Sequence, residues 1–569
     1  MSDKIIETKK CTCWSELKIT EMDFDFYMNI SPIFKWVRYD IPSPTLCPEC
    51  RLQRRLTWRN ERNLYKRKCD ATNKNVISIF SPDKPYKVYS QDEWWSDKWN
   101  PLDYGRDFDF SKTFFEQYNE LLLSVPKLWI LVSRNENSDY TNWSAYNKNC
   151  YLIFASDHNE DCYYSDNIYR SKDTFDSSDL TDSTLCYECM WGTKCSNCKY
   201  LYDCHDCHDL AFCFDCKNCH DCFLSSNLRN KNHYFKNKEY SKEEYFQKLE
   251  EYKYKTVWEI LEELHEIEDA SVHLCFHGNG NDDCLGDYIS NCKNSSDVYS
   301  ANNLENCKNI INWNWAKDCQ DCYVVVDNST LVYESLSSIW LNKWAFNFWC
   351  LDWSSNCYYS YLCLSASNLF WCDWLKNQSY CILNKQYTRD EYEMLVPKII
   401  EHMKNNWEWW EFFPSAISPF WYNETLAMEY YPVERRDALQ YISTDWKSLF
   451  KWSDYETPFP KAEKIIPASK LPGNIKDIPD DIINWAIECE MTWKPFRIIK
   501  QELDFYRKQN LPIPRKHPDE RHLNRMKLRN PRKTYDSKCH KCGINIKTSY
   551  SPLRKEMIYC EECYDKEVI

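Results

Sequence analysis

Cysteine returns at a fixed interval in the middle of this chain. Cys186, Cys195, Cys204, Cys213 and Cys222 are nine residues apart, and Cys189, Cys198, Cys207 and Cys216 run in step with them. A short period held over many repeats marks a stacked array, because one small unit cannot bury its own apolar face and must pile copies onto a shared interior. Nine-residue units paired into coils of roughly eighteen suit a β-solenoid in which small, apolar cysteines form an inward ladder. The run Cys213, Cys216, Cys219 and Cys222 also approaches a ferredoxin spacing, but it lacks the closing three-residue gap and proline. Its register belongs to a longer period than one iron–sulfur cluster needs. Free buried thiols are the expected state; a metal- or redox-handling array is the alternative.

The array is duplicated. Residues 228–245 align with 375–392 at an offset of 147, matching Asn230, Asn237, Lys238, Tyr240 and Glu244 with Asn377, Asn384, Lys385, Tyr387 and Glu391. Each copy closes with a capping box, Ser241 to Glu244 and Thr388 to Glu391, which predicts a helix covering each solenoid end.

A second duplication joins the two ends of the chain. Residues 40–93 align without a gap onto 510–563 at an offset of 470, so Arg51, Arg55, Arg59, Asn60, Arg62 and Cys69 recur as Arg521, Arg525, Arg529, Asn530, Arg532 and Cys539. Further upstream the offset becomes 479, pairing Trp14, Phe26 and Tyr27 with Trp493, Phe505 and Tyr506. Each terminal module has two places for a four-ligand site, and the copies keep opposite ones. The first keeps Cys11, Cys13, Cys47 and Cys50, while its second place reads Cys69, Thr72, Ser90 and Glu93. The last keeps Cys539, Cys542, Cys560 and Cys563, while its first place reads Cys489, Thr492, His517 and Glu520. Four thiolates at Cys-x2-Cys-x17-Cys-x2-Cys spacing suit structural zinc and leave no open position for catalysis. Two zinc ions per chain follow, with rubredoxin-like iron as the chemical competitor and an iron–sulfur cluster not expected.

The net charge of −14 is segregated. Residues 47–68 carry +6 and residues 507–541 carry +9, which leaves −29 on the remainder. The run after Cys50 reads as a helix opening at the metal, and a knuckle, hairpin and ligand-bearing helix resemble a treble-clef finger. Arg51, Arg54, Arg55, Arg59 and Arg62 recur at three- and four-residue steps and share a face; Arg521, Arg525, Arg529 and Arg532 repeat it. Arginine suits bidentate phosphate contact, so these nine residues are the candidate nucleic-acid surface, with RNA favoured over DNA because no half-site logic is visible. The alternative is that the arginines grip the chain's own acidic surface, making a structural protein-interaction module.

The 569 residues supply ample apolar and aromatic material for several cores. No long apolar run or export signal is present, so a soluble, cytoplasmic protein with reduced thiols is expected rather than a disulfide scaffold. Among twelve histidines no nucleophile–base pairing stands out, and no glycine-rich phosphate loop exists; His273 and His277 read as structural, and the chain as non-enzymatic. Glycine is scarce: seven, where about 40 are usual, beside 26 tryptophans. In the knuckles Trp14, Asn73, Trp493 and Gly543 fall where the backbone turns left-handed, and Trp374 falls opposite Asn227. Bulky side chains resist that conformation, so many tryptophans read as glycines whose UGA codons were translated under the wrong code.

The segments Cys47-Pro48-Glu49-Cys50-Arg51-Leu52-Gln53-Arg54-Arg55-Leu56, Pro101-Leu102-Asp103-Tyr104-Gly105-Arg106-Asp107-Phe108-Asp109-Phe110, Ser418-Pro419-Phe420-Trp421-Tyr422-Asn423-Glu424-Thr425 and the final cysteine motif resemble an uncharacterised cysteine-rich family from candidate-phyla bacteria. The resemblance spans nearly the whole chain. It implies glycine at Trp14, Trp371, Trp374, Trp421 and Trp493, and the shortened Cys11-x-Cys13 knuckle departs from the family pattern. Relatives often carry a CaiB/BaiF CoA-transferase label, for which these residues offer no chemistry.

The expected architecture is multidomain and mainly β with helices. Zinc-binding modules of treble-clef or zinc-ribbon type at 1–95 and 489–569 flank cysteine-rich β-solenoids with capping helices at 136–256 and 257–405. A helical linker at 96–135 and a proline-containing linker at 406–488 complete the chain. The reading that follows is a non-enzymatic scaffold that binds zinc and nucleic acid, with a protein partner on the solenoids and no membrane contact.

Overall fold

The computed structural model describes residues 4–339, 341–348, 354–440, 450–459 and 462–568. The arrays form a β-solenoid of about 19 turns, but its coil is twelve residues, not eighteen. Parallel pairing sets Ser196 beside His208, His208 beside His220 and His220 beside Asn232. The same step runs back through Thr184, Lys172, Glu160 and Lys148 to Glu136. Each coil is therefore four triplets: one residue pairs with the neighbouring coils, the next turns a corner, and the third points inward.

The corners are left-handed. Positive φ recurs at every third residue from Trp143 to Lys236, and Asn or Asp holds sixteen of those thirty-two places. A left-handed residue costs about 1–2 kcal/mol unless its short polar side chain can bond locally, as Asn and Asp do, so the corner geometry explains the abundance of both. Leu152, Tyr164 and Phe212 also sit at corners. Positive φ alone therefore does not mark a missing glycine.

The inward residues explain the nine-residue period. Four interior columns stack at twelve-residue steps, one of them Cys195, Cys207 and Cys219. Gly192, Leu201 and Leu210 take the interior place at nine-residue steps, one triplet short of a coil. The leucines therefore move one corner per coil and do not lie beneath one another. Gly192 lies under Leu180, where an added Cβ would meet Leu180 Cδ2 at 2.8 Å. The ten cysteines from Cys186 to Cys222 are buried and unlinked. Each thiol lies within donor reach of the carbonyl two residues back and, except at Cys219, of the one nine ahead, as for Cys207 with His205 at 3.2 Å and Cys216 at 3.3 Å. Earlier coils use polar side chains for the same stacking: the Asn159 N–H donates to Asn147 Oδ1, Ser171 to Asn159 Oδ1, and Cys195 to Ser183 Oγ.

Both arrays end as the capping boxes predict. An antiparallel turn closes each ladder, and the helices Lys242–Tyr252 and Arg389–Asn405 follow with their capping boxes formed. A further helix, Val257–Ala270, lies between the arrays in sequence. The stretches read as linkers are packed: Leu121 and Leu122 of the helix Phe114–Ser124 are buried, as are Phe412, Phe413, Phe420 and Tyr422. Among the described residues no helix is long and apolar enough to cross a membrane.

The terminal modules dock crosswise. The N-terminal module pairs Val88–Tyr89 with Lys127–Leu128, the strand leading into the first array, yet lays its helix Pro48–Leu56 on the second array. The C-terminal module pairs Met557–Tyr559 with Val272–Leu274, leading into the second array, yet lays Pro518–Leu528 on the first. Tyr27 meets Tyr333 edge-on at 5.5 Å, and its counterpart Tyr506 meets Tyr187 at 5.9 Å. Duplication has thus preserved the docking as well as the modules.

Candidate metal centres

Two sets of four cysteines converge, Cys11, Cys13, Cys47 and Cys50 in one module and Cys539, Cys542, Cys560 and Cys563 in the other, with all sulfurs of a set within 4.8 Å of one another. Each set is assembled from a knuckle and the first turn of a helix. Cys47 is the N-cap of Pro48–Leu56 and Cys50 lies in its first turn. Cys560 precedes Glu561–Val568, which carries Cys563. A tetrahedral four-thiolate site with metal–sulfur bonds of about 2.3 Å has sulfur–sulfur edges of about 3.8 Å. The Cys13–Cys47 and Cys542–Cys560 separations are 3.6 and 3.7 Å. The residues fit a metal ion held by four thiolates, with no coordination position left for substrate.

The knuckle turn is the same at all four places. The N–H groups of Trp14, Asn73, Trp493 and Gly543 donate to the carbonyls of Cys11, Cys69, Cys489 and Cys539, and all four residues have positive φ. The shortened Cys11-x-Cys13 knuckle reaches that turn one residue sooner. One thiol of each set ionises readily while others of its set are held protonated: a hydrogen bond from the Cys50 thiol is the main cause drawing Cys47 down to about 5, and the same contact pushes Cys50 up. Burial opposes ionisation at Cys539, but backbone N–H groups of Cys542 and Cys560 outweigh it and bring that thiol to about 6.

The decayed places keep the scaffold without the ligands. Cys69 Sγ accepts the Ser90 N–H at 3.3 Å, just as Cys539 Sγ accepts the Cys560 N–H at 3.3 Å. Glu93 is tied to Lys98, and His517 Nδ1 accepts the Asp519 N–H.

The arginines expected to form a nucleic-acid surface are largely buried. They share a face as the spacing predicts, but that face is turned inward. Arg51, Arg54, Arg55, Arg59, Arg521 and Arg525 are at most 9% exposed. Arg51 donates to Asp321 at 2.6 Å, and Arg54 reaches Glu334 at 3.1 Å and Glu411 at 2.6 Å. Arg55 lies between Glu334 and Asp321, and Arg59 donates to Glu61. In the other module Arg521 pairs with Asp176 and Glu502, Arg525 with Asp176 and Glu188, and Arg529 with Asp179 and Asp166. Arg62 and Arg532 lie half-buried over the rings of Phe154 and Tyr430 at 4.7 and 4.3 Å. The physical reason is charge balance: arginines this deeply packed need acids within reach, and the solenoid corners Asp176, Asp179, Glu188, Asp321 and Glu334 supply most of them.

Sequence reasoning missed those acids. Asp176 and Glu188 are corner residues twelve apart, and Asp321 and Glu334 are corner residues thirteen apart, so one coil step separates the members of each pair. That spacing was the available signal.

No protein family matches the chain, and no curated protein does. Among solved structures, one similar chain is a Desulfovibrio desulfuricans G20 protein that carries the name of an acetyltransferase. It is 10% identical over 39% of this chain and 63% of that one, with a TM-score of 0.10. The match spans less than two thirds of that protein's length, and so low a score carries no argument about fold or chemistry.

Proposed function

We propose that the chain is a zinc-clasped, non-enzymatic scaffold of the cysteine-rich candidate-phyla family, in which the terminal modules hold two solenoid arrays together. The crossed docking carries this reading: each module touches the start of one array and the flank of the other. Zinc is the metal that a closed four-thiolate set suits, and its role is to hold the knuckle against the ligand-bearing helix. The thiols that donate to carbonyls inside the arrays support a reducing, cytoplasmic setting and weigh against the array as a metal store. Metal analysis of the native protein tests this. Two zinc ions per chain are expected, whereas many thiol-bound metals would overturn the assignment.

Burial of the arginines favours internal docking over contact with RNA or DNA. Mobility-shift titrations with structured RNA should show no binding at physiological salt. Tight, salt-sensitive binding that falls when Arg54 and Arg529 are replaced by Gln would restore the nucleic-acid reading.

We also infer that Trp14, Trp371, Trp374 and Trp493 are glycine in the cell. Trp14 and Trp493 hold the knuckle turn that Asn73 and Gly543 hold at the other two places, Trp371 and Trp374 sit at buried corners, and all four have positive φ, between 61 and 68 degrees. The Trp371 ring centroid falls 2.8 Å from that of Phe114, closer than the roughly 4.5 Å that two rings require, and its buried indole N–H meets no acceptor among the described residues. Trp421 has φ of −92 degrees, so its backbone makes no such demand. Peptide mass spectrometry of the native protein decides: tryptophan at Trp14, Trp371 and Trp493 would end the idea.

A further inference from the structure

Each residue from 40 to 93 has a counterpart 470 residues away, so an object gripped in one half can be sought in the other. In the N-terminal half, the groove between the helix Pro48–Leu56 and the second array is filled by residues 409–413 of the chain itself. Glu411 accepts from Arg54 at 2.6 Å and from Thr45 Oγ1 at 3.0 Å. The Trp409 indole donates to the Asp40 carbonyl at 3.3 Å. Phe412 lies under the Arg54 guanidinium, and Phe413 packs on Trp58 at 5.0 Å. The groove thus holds a short segment, turned at Trp409 and Trp410, in which one acid sits among aromatic rings.

The counterparts of Asp40, Thr45, Arg54 and Trp58 are Asn510, Arg515, Asn524 and Leu528. These four line an open cleft of about 650 Å³ against Tyr187, Glu188 and Tyr200 of the first array. The cleft is open because the chain is routed differently. After the helix Arg389–Asn405 it runs into the groove, whereas after Lys242–Tyr252 it forms the helix Val257–Ala270, whose Trp258 becomes a cleft wall. The open cleft is also the more cationic of the two. Arg515 and Lys516 replace Thr45 and Leu46, and among the described residues neither makes an ion pair. Lys516 instead lies 5.4 Å from the Trp258 ring. Asn524 in place of Arg54 leaves Glu188 with Arg525 at 3.8 Å, and burial raises its carboxyl to about 7.

We propose that this cleft docks a short segment of a partner protein in which an acidic residue is flanked by aromatic ones, the same kind of segment that its counterpart holds from within the chain. The acid would meet Arg515 and Lys516, and the rings would lie against Tyr187, Tyr200 and Trp258. Paired grooves of one lineage, one filled and one open, give the occupant its chemistry. The inference rests on the scaffold reading, since it assumes folded, metal-loaded modules.

The test uses the full-length, zinc-loaded protein and a fluorescein-labelled synthetic peptide of residues 406–415, read by anisotropy. Saturable binding to one site is expected, weakened about tenfold or more by Arg515→Glu/Lys516→Glu, two charges on the rim of the docked surface. Trp258→Ala, which leaves the module untouched, should weaken it as well. A Glu411→Lys change in the peptide should abolish binding. No saturation by about 1 mM, equal affinity in the double variant, or equal affinity of the Glu411→Lys peptide would each overturn the proposal. Zinc content measured on the same samples separates the outcomes. Absent binding with two zinc ions in place sinks the cleft alone, and absent zinc sinks the clasp.

Discussion

Asp176→Ala removes the acid on which two arginines of the C-terminal module converge. Asp176 is fully buried, and Arg521 and Arg525 are 4% and 3% exposed. Removing one partner of such a pair costs about 3–5 kcal/mol, because the other charge stays buried without compensation. Arg521 keeps Glu502 at 3.4 Å and the Tyr506 hydroxyl at 3.2 Å, while Arg525 keeps Ser178 Oγ at 3.2 Å and the Tyr164 carbonyl at 3.0 Å. The expected loss is therefore at the lower end, about 3 kcal/mol. Trypsin supplies the assay, since a docked helix hides its arginines and native-state cleavage follows the population of the undocked form. A 3 kcal/mol loss predicts roughly 150-fold faster cleavage within Pro518–Leu528. The control is Asp182→Ala, which breaks the exposed pair with Arg170 at 2.6 Å and should change the rate less than about fivefold. Equal, small effects from both variants would refute the claim that buried arginine pairs hold the module on the array.

Three further outcomes follow from the same geometry. Cys542→Ser should lower the metal content from two ions to one, whereas Cys69→Ser, at a place already lacking partners, should leave it at two; atomic emission reads both. Lys127 and Asp373 form a fully buried ion pair, so Lys127→Met should cost about 3–5 kcal/mol in urea titrations and Lys127→Met/Asp373→Leu should recover most of it. His277 is raised to about 9: burial opposes the charge, but Asp287 at 2.8 Å, with Asp203 and Asp215 nearby, outweighs it. A raised folded value means the contribution is complete below about 6.5 and lost as pH climbs to 9, up to about 3 kcal/mol in all. His277→Gln should flatten that part of the stability profile.

The metal centres were legible because ligand chemistry leaves its record in local spacing: both cysteine sets converge where Cys11, Cys47, Cys539 and Cys560 place them. The capping helices were legible for the same reason, since Ser241 and Thr388 meet partners three residues on. The coil length was not. Interior cysteines report the triplet, and the leucine spacing reports how large residues avoid one another, but the number of corners per coil depends on closure, which side-chain identity does not encode. The destination of the arginine stripe was equally hidden. Most of its acids lie hundreds of residues away, many at single corners of a generally acidic stretch, and only the coil step distinguishes Asp176 and Glu188 from their neighbours.

Crossed docking also imposes an order on synthesis. Arg51 meets Asp321 across 270 residues of chain, so the first module leaves the ribosome well before its dock exists. At about 5–20 residues per second that interval is roughly 15–50 s. Throughout it, Arg51, Arg54 and Arg55 have neither Asp321 nor Glu334 to meet. The last module has the opposite experience, for Asp176 was made 345 residues before Arg521 and waits in a finished coil. The helix Pro48–Leu56 of the nascent chain is thus cationic and in search of an acid, beside a ribosome rich in phosphate, until the second array winds past residue 334.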